Sequence, residues 1–317
     1  MPKISLTLAC GDYEIVRPLI DGTVVPDGID LTVLTAMDSS TRHWRFLRNA
    51  EFDMAEVSCS SFFVARDQGQ EIAAIPVFLH RRFRHGFIFI NTKKGIRGPT
   101  DLAGRRIGLK QFQNTAILWM RGILQQEYGV PLETIEWCVE LDETIEFTPP
   151  KNLKISRLPH ESSVEAMLSA GDLDAVLHPD LIRPLINKDP DVGRLFPDYR
   201  KEEVAYFQRT GIFPIMHVLG IKREILQSHP WVAVNMFKAF ERAKWLAMQR
   251  MESTRTVPLA WYREEWEEQE GVLGSDPWEY GLSGQNRKTL GTLAGYAYEQ
   301  GLLKRPLVLD ELFVNVS

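Results

Sequence analysis

Residues 211–221, GIFPIMHVLGI, read as an apolar strand that arrives late, after two separate series of strands and helices have gone by. The first series has strands at 4–10, 30–35, 53–57, 72–79 and 86–91, with helices near 41–50 and 60–68. The second has strands at 105–109, 135–139 and 173–177, with helices at 115–127 and 162–170. A strand following both series is read as the chain's return to its first sheet. Two crossings result, giving lobe one as 1–92 plus 211–317 and lobe two as 93–210, with a ligand cleft between them. The echo of LRNAEFDMA (47–55) in LSAGDLDAV (168–176) supports two similar lobes, since both run from a helix end through a turn into a strand. The expected class is α/β, each lobe a mixed sheet flanked by helices.

Local signals fill in the elements. Ser162 and Glu165 have capping-box spacing, and Gly171 suits the left-handed residue that ends their helix. Thr115 is expected to cap the 115–127 helix, which Gly129 and Pro131 stop. The last third reads as helical. Ser228 or His229 would cap a long helix with Pro230 in its first turn and Ala233, Met236, Phe237, Phe240 and Ala247 on its inner face. Further helices are expected at 258–270 and 286–300. These C-terminal helices are assigned to lobe one, either packing on it or meeting a second copy of the chain in a homo-oligomer.

Composition narrows the function classes. The chain has 317 residues, 44% hydrophobic and 25% charged, which is the composition of a folded domain. Its net charge of −5 speaks against a nucleic-acid partner. Three scattered cysteines, Cys10, Cys59 and Cys138, form neither a disulfide framework nor a metal pattern, and no metal site is expected. The amino terminus lacks a secretory signal and no window reaches the ~20 apolar residues of a membrane span, so a cytoplasmic protein without a membrane partner is expected.

Between His80 and Lys110 lie nine basic residues against one acid, Asp101. Such a local positive field in an acidic chain points to a small anion as the ligand. Arg81 and Arg84 are the candidate carboxylate grips, because a guanidinium binds both carboxylate oxygens in one plane. Three strand–helix junctions offer further polar groups: Gln113, Asn114 and Thr115 in QFQNTA, Asp12 and Arg17 in CGDYEIVRP, and Ser60 in SCSSFF. No Gly-x-Ser-x-Gly elbow surrounds Ser60, which speaks against triad hydrolysis. His85 and His217 are the candidate proton carriers, one entering the crossing and the other on the return strand.

Several longer blocks carry a resemblance. ACGDYEIVRPL (9–19), FDMAEVSCSSF (52–62), IPVFLHRRFRHGFIFIN (75–91) and QRTGIFPIMHVLGIKRE (208–224) resemble the 4,5-dihydroxyphthalate decarboxylase family, a branch of the type 2 periplasmic-binding-protein-like superfamily. His80 departs from the family pattern, where a small residue is expected. The resemblance implies a two-lobed fold and a cytoplasmic, cofactor-free enzyme whose substrate is a small anionic aromatic acid. It adds Arg209 to the substrate-binding candidates and retains Arg81, Arg84, His85, Gln113, Thr115 and His217. The alternative reading is a non-catalytic solute-binding protein for an aromatic or other carboxylate. On the enzyme reading His85 or His217 is the general acid, while Arg84, aided by Arg81, holds the carboxylate that does not leave.

Overall fold

Eleven strands carry the architecture of the computed structural model, which describes residues 3–316. In chain order they are β1 (Ile4–Ala9), β2 (Ile29–Leu34), β3 (Met54–Ser58), β4 (Ile72–Ile75), β5 (Ile88–Asn91) and β6 (Arg106–Leu109). There follow β7 (Glu136–Val139), β8 (Lys154–Arg157), β9 (Ala175–Leu177), β10 (Val192–Arg194) and β11 (His217–Lys222). They form a five-stranded sheet ordered β2-β1-β3-β11-β4 and a six-stranded sheet ordered β10-β5-β9-β6-β7-β8. Both are mixed. In the first, β2, β1 and β3 are parallel and β11 runs against β3 and β4. In the second, β5 is antiparallel to both neighbours while β9, β6, β7 and β8 are parallel. The 211–221 segment does return to the first sheet, between β3 and β4.

The chain divides into two units, residues 1–81, 215–290 and 307–317 in one, and 82–214 with 291–306 in the other. The first crossing lies earlier than the expected 92–93 because β5, counted with lobe one in the sequence, pairs with β9 and β10 of the second sheet. Residues 291–306 also group with the second unit rather than with lobe one. Tyr296 meets Trp119 edge-on at 5.6 Å, and Gln300 accepts from Arg121 Nε at 2.6 Å. Gly122 makes this approach possible, since a Cβ there would lie 2.0 Å from the Tyr296 ring.

The core of the first unit packs Leu6, Leu8, Ile29, Met54 and Leu219 of the sheet against Val232, Met236 and Phe240 of the Trp231–Met251 helix. That helix buries the expected Ala233, Met236, Phe240 and Ala247, but Pro230 precedes it without a side-chain cap. In the second unit Val176 and Phe89 pack against Val164 and Leu168. Caps fall one residue away from the expected ones. Ser163, not Ser162, accepts from Ala166 N–H, and Asn114, not Thr115, accepts from Ala116 N–H. Elements without a counterpart in the sequence reading include β8, β10, the Tyr199–Thr210 helix and the short helices Arg183–Ile186 and Arg223–Ser228.

Candidate functional site

The first unit buries a carboxylate in the middle of its sheet. Every residue of β3 is buried, and Glu56 is fully inaccessible. An ionised group in such a place must be paired and hydrogen-bonded to persist. Four donors converge on it. Oε2 accepts from Gly11 N–H at 2.8 Å and from Arg42 Nη2 at 2.7 Å. Oε1 accepts from the Tyr13 hydroxyl at 2.8 Å and pairs with His217 Nδ1 at 2.6 Å. Strand register explains the last contact. Ser58 lies opposite His217 and Glu56 opposite Leu219, so Glu56 and His217 project from one face as diagonal neighbours.

Electrostatics follow from the geometry. Burial alone would raise the Glu56 carboxyl, but the charge and hydrogen bond of His217, with Arg42 and Tyr13, outweigh it and hold the group well below the usual carboxylate range. Burial, then the Glu56 charge, pushes the Tyr13 hydroxyl far up, and the same two causes raise the Cys10 thiol to about 12. The His217 ring meets those of His43 and His80 edge-on at 4.8 and 4.9 Å. Burial keeps His43 well below its ordinary value, hence neutral. The ensemble is one buried carboxylate, one guanidinium, one hydroxyl and an imidazole whose Nδ1 is committed to Glu56.

The other candidates of this unit serve differently. Arg81 is buried and its Nη2 donates to Glu279 O at 2.7 Å and Asn286 Oδ1 at 2.6 Å. Asp12 and Arg17 form a half-exposed ion pair of 2.7 Å. Ser60 Oγ lies 3.3 Å from Ser58 Oγ in a small hydroxyl cluster.

The second unit holds the remaining candidates. Arg84 is buried, donates from Nη1 to Pro179 O at 2.7 Å, and lies over the Phe87 ring. Burial, then the neighbouring Arg82, lowers it to about 9. His85 begins a short 3-10 turn, His85–Phe87, among Phe196, Tyr206 and Tyr128. Both its ring nitrogens are buried without a hydrogen-bond partner among the described residues, and burial, with Arg209, lowers it to about 4. Arg209 itself is half-exposed and paired with Glu127 at 3.0 Å. At the 112–115 junction the anion on the backbone is the protein's own. Glu143 accepts from Phe112 N–H at 2.7 Å and Gln113 N–H at 2.9 Å, while the Gln113 amide binds Ile145 at both its ends. Asn114 caps the following helix and Thr115, its first residue, is buried. Among the described residues no group of three or more His, Cys, Asp or Glu is placed to hold a metal ion.

Sequence reasoning passed over Glu56, Arg42, His43 and Glu203. One signal for Glu56 was available: a lone acid inside FDMAEVS, a strand otherwise apolar enough for the middle of a sheet.

Known proteins show clear likenesses. The chain is 33% identical over its full length to a 4,5-dihydroxyphthalate decarboxylase of Comamonas testosteroni, covering 98% of it. A protein of the same name from Pseudomonas putida is 33% identical over 205 residues, 62% of this chain and 79% of the relative. Residues 26–138 match the NMT1/THI5-like family. Among solved structures, a putative periplasmic sulfonate-binding protein of Methylobacillus flagellatus aligns with a TM-score of 0.61 at 11% identity, over 99% of this chain and 92% of the other. The periplasmic aliphatic sulphonate-binding protein of Escherichia coli gives 0.58 at 11% identity, over 99% and 98%. At that identity the two structures establish the fold, which is that of periplasmic binding proteins.

Proposed function

The chain belongs to the 4,5-dihydroxyphthalate decarboxylase family, and we propose that it is a carboxy-lyase that removes carbon dioxide from a hydroxylated aromatic dicarboxylate, with 4,5-dihydroxyphthalate as substrate and protocatechuate as product. The observation that carries the residue assignment is the 2.6 Å pair between the buried Glu56 and His217.

In such a ring each carboxylate stands para to a hydroxyl. A proton delivered to the carbon bearing the departing carboxylate, while the para hydroxyl gives up its proton, yields a dienone-like intermediate. Carbon dioxide then leaves with the C–C bond broken, its electron pair restores the ring, and the hydroxyl is reprotonated. One proton is consumed per turnover. His217 is the group to deliver it, because Glu56 fixes the Nδ1 end and supplies a counterion for the imidazolium. His85, lowered to about 4, is neutral at physiological pH and is a poorer donor there. Three buried cysteines, none in a disulfide, suit the reducing cytoplasm as its compartment.

The test is carbon dioxide release from 4,5-dihydroxyphthalate in heavy water, with deuterium expected at the ring carbon that lost its carboxylate. His217→Ala should lower turnover by ~10²–10⁴ while binding persists. Undiminished turnover would remove His217 from the chemistry. Tight binding without gas would favour the solute-binding alternative.

A further inference from the structure

One buried cation of the second unit has no carboxylate bonded to it among the described residues. Arg121, in the middle of the Thr115–Tyr128 helix, is fully inaccessible. Its Nη1 donates to Phe112 O at 2.8 Å and its Nε to Gln300 Oε1 at 2.6 Å, while the Phe112 ring covers one face of the guanidinium at 3.4 Å. Nη2, the other donor on the edge that Nε shares, is buried and meets no acceptor among the described residues. Gln300 repeats the pattern. The bond from Arg121 Nε fixes which end of the amide is oxygen, and Gln300 Nε2, also buried, has no acceptor among the described residues. The acid that acts on Arg121 is Glu143, whose two oxygens accept from Phe112 and Gln113 N–H instead. Glu299, next to Gln300, accepts from Gln126 at the surface. Two buried donors on side chains already joined to each other, with one unbalanced charge, call for an acceptor that is itself an anion.

We propose that the junction of Arg121 and Gln300 is a binding site for a small monovalent anion of halide size, such as chloride, held by Arg121 Nη2 and Gln300 Nε2. Charge selects the ion over water, which would accept from these donors and leave the guanidinium unbalanced. Shape selects it over sulfate, phosphate or a carboxylate, whose additional oxygens would be buried with no donors facing them. The surroundings suit a weakly hydrated ion. Trp137 lies 5.9 Å from the guanidinium, Phe147 stacks on Phe112 at 5.9 Å, and Trp119 meets Tyr296 edge-on. Burial lowers Arg121 to about 9, with Glu143 opposing, and a bound anion would raise it again. The ion would tie the residue that follows the Gly284–Glu299 helix to the Thr115–Tyr128 helix, beside the close approach of Gly122 and Tyr296. None of these side chains is assigned to the reaction, so the inference stands apart from the decarboxylase reading.

The experiment is thermal unfolding of the full chain with sodium chloride replacing sodium gluconate, from about 1 mM to about 100 mM chloride at constant ionic strength, so that screening of surface charges cancels. Wild-type Tm should rise by about 2–5 °C across that range, by mass action on the folded state. Sodium bromide should act as the chloride does. Gln300→Glu places a carboxylate on the same framework: one oxygen still accepts from Arg121 Nε and the other takes Nη2, making a bidentate pair. This variant should melt in gluconate at the temperature the wild type reaches in chloride, and should lose the chloride dependence. Bromide soaked into wild-type crystals should give an anomalous peak between Arg121 and Gln300, a readout that needs no variant. A wild-type Tm indifferent to chloride overturns the inference, as does a Gln300→Glu protein with the wild-type slope. A water molecule between the two side chains, with bromide bound only elsewhere, overturns it as well.

Discussion

Replacing Glu56 by glutamine separates the two things the buried carboxylate does. The side chain keeps its size, but one amide oxygen must now serve four converging donors: Gly11 N–H, Arg42, Tyr13 and His217. The new NH₂ faces two of them, and Arg42, only 2% exposed, loses its counterion. Breaking a buried pair from one side costs about 3–5 kcal/mol, against a typical total stability of about 5–15 kcal/mol. The protein should therefore stay folded with a lowered urea midpoint, read by tryptophan fluorescence. Turnover should fall much further, because His217 loses the group that fixes its tautomer. Removing an orienting carboxylate costs about 10⁴ in serine proteases, and ~10²–10⁴ is expected here. The double variant Arg42→Met/Glu56→Leu removes both charges together and should regain much of the stability without regaining turnover. A folded Glu56→Gln protein whose kcat stays within about threefold of wild type would refute the argument.

Three further outcomes follow from the same structure. The folded-state pKa of Glu56 lies well below its unfolded value of about 4.3, so its stabilisation is complete above that value and is lost progressively as pH falls toward the folded-state value; the gap between wild-type and Glu56→Gln urea midpoints should narrow steadily as pH falls below about 4.3. Glu203 has the opposite sign: its folded pKa is raised to about 7, so stability falls as pH rises from about 4.3 to 7. Glu203→Gln should accordingly be about 1–3 kcal/mol more stable than wild type at pH 8 and equal to it at pH 4, by urea unfolding. Gly122→Ala would drive a methyl group into the Tyr296 ring and should cost about 1–3 kcal/mol, with Tyr296→Leu restoring part of the loss in thermal melts.

Strands with a run of apolar residues were legible in the sequence, and so was the return of the chain at 211–221. The echo of 47–55 in 168–176 corresponds to a shared backbone device. Ala50 and Gly171 both take left-handed conformations, φ 49° and 81°, at the ends of the helices that precede β3 and β9. Short or polar elements were not legible. β8 buries none of its four residues, and the helix at 199–210, YRKEEVAYFQRT, buries only Tyr206, so neither shows a clear period. His217 was singled out from its position alone. Its partner Glu56 was hidden because an acid in a strand ordinarily marks a solvent-facing position, and only the sheet order, with β1 and β11 on either side of β3, makes it central. Arg81 shows the reverse limit: a guanidinium beside Arg84 in sequence turns out to tie Glu279 and Asn286, nearly two hundred residues on.

The placement of β11 carries a consequence for how the protein is made. The six-stranded sheet uses residues 88–194, all synthesised before β11 leaves the ribosome. The five-stranded sheet has a gap between β3 and β4 until residues 217–222 fill it. Up to that moment Glu56 and Arg42 lack the histidine that completes their pairing, and one edge of β3 is open to water or to other nascent chains. The earlier-numbered sheet is therefore completed only after the last strand of the other has been made, and until then the open edge of β3 can pair with another chain.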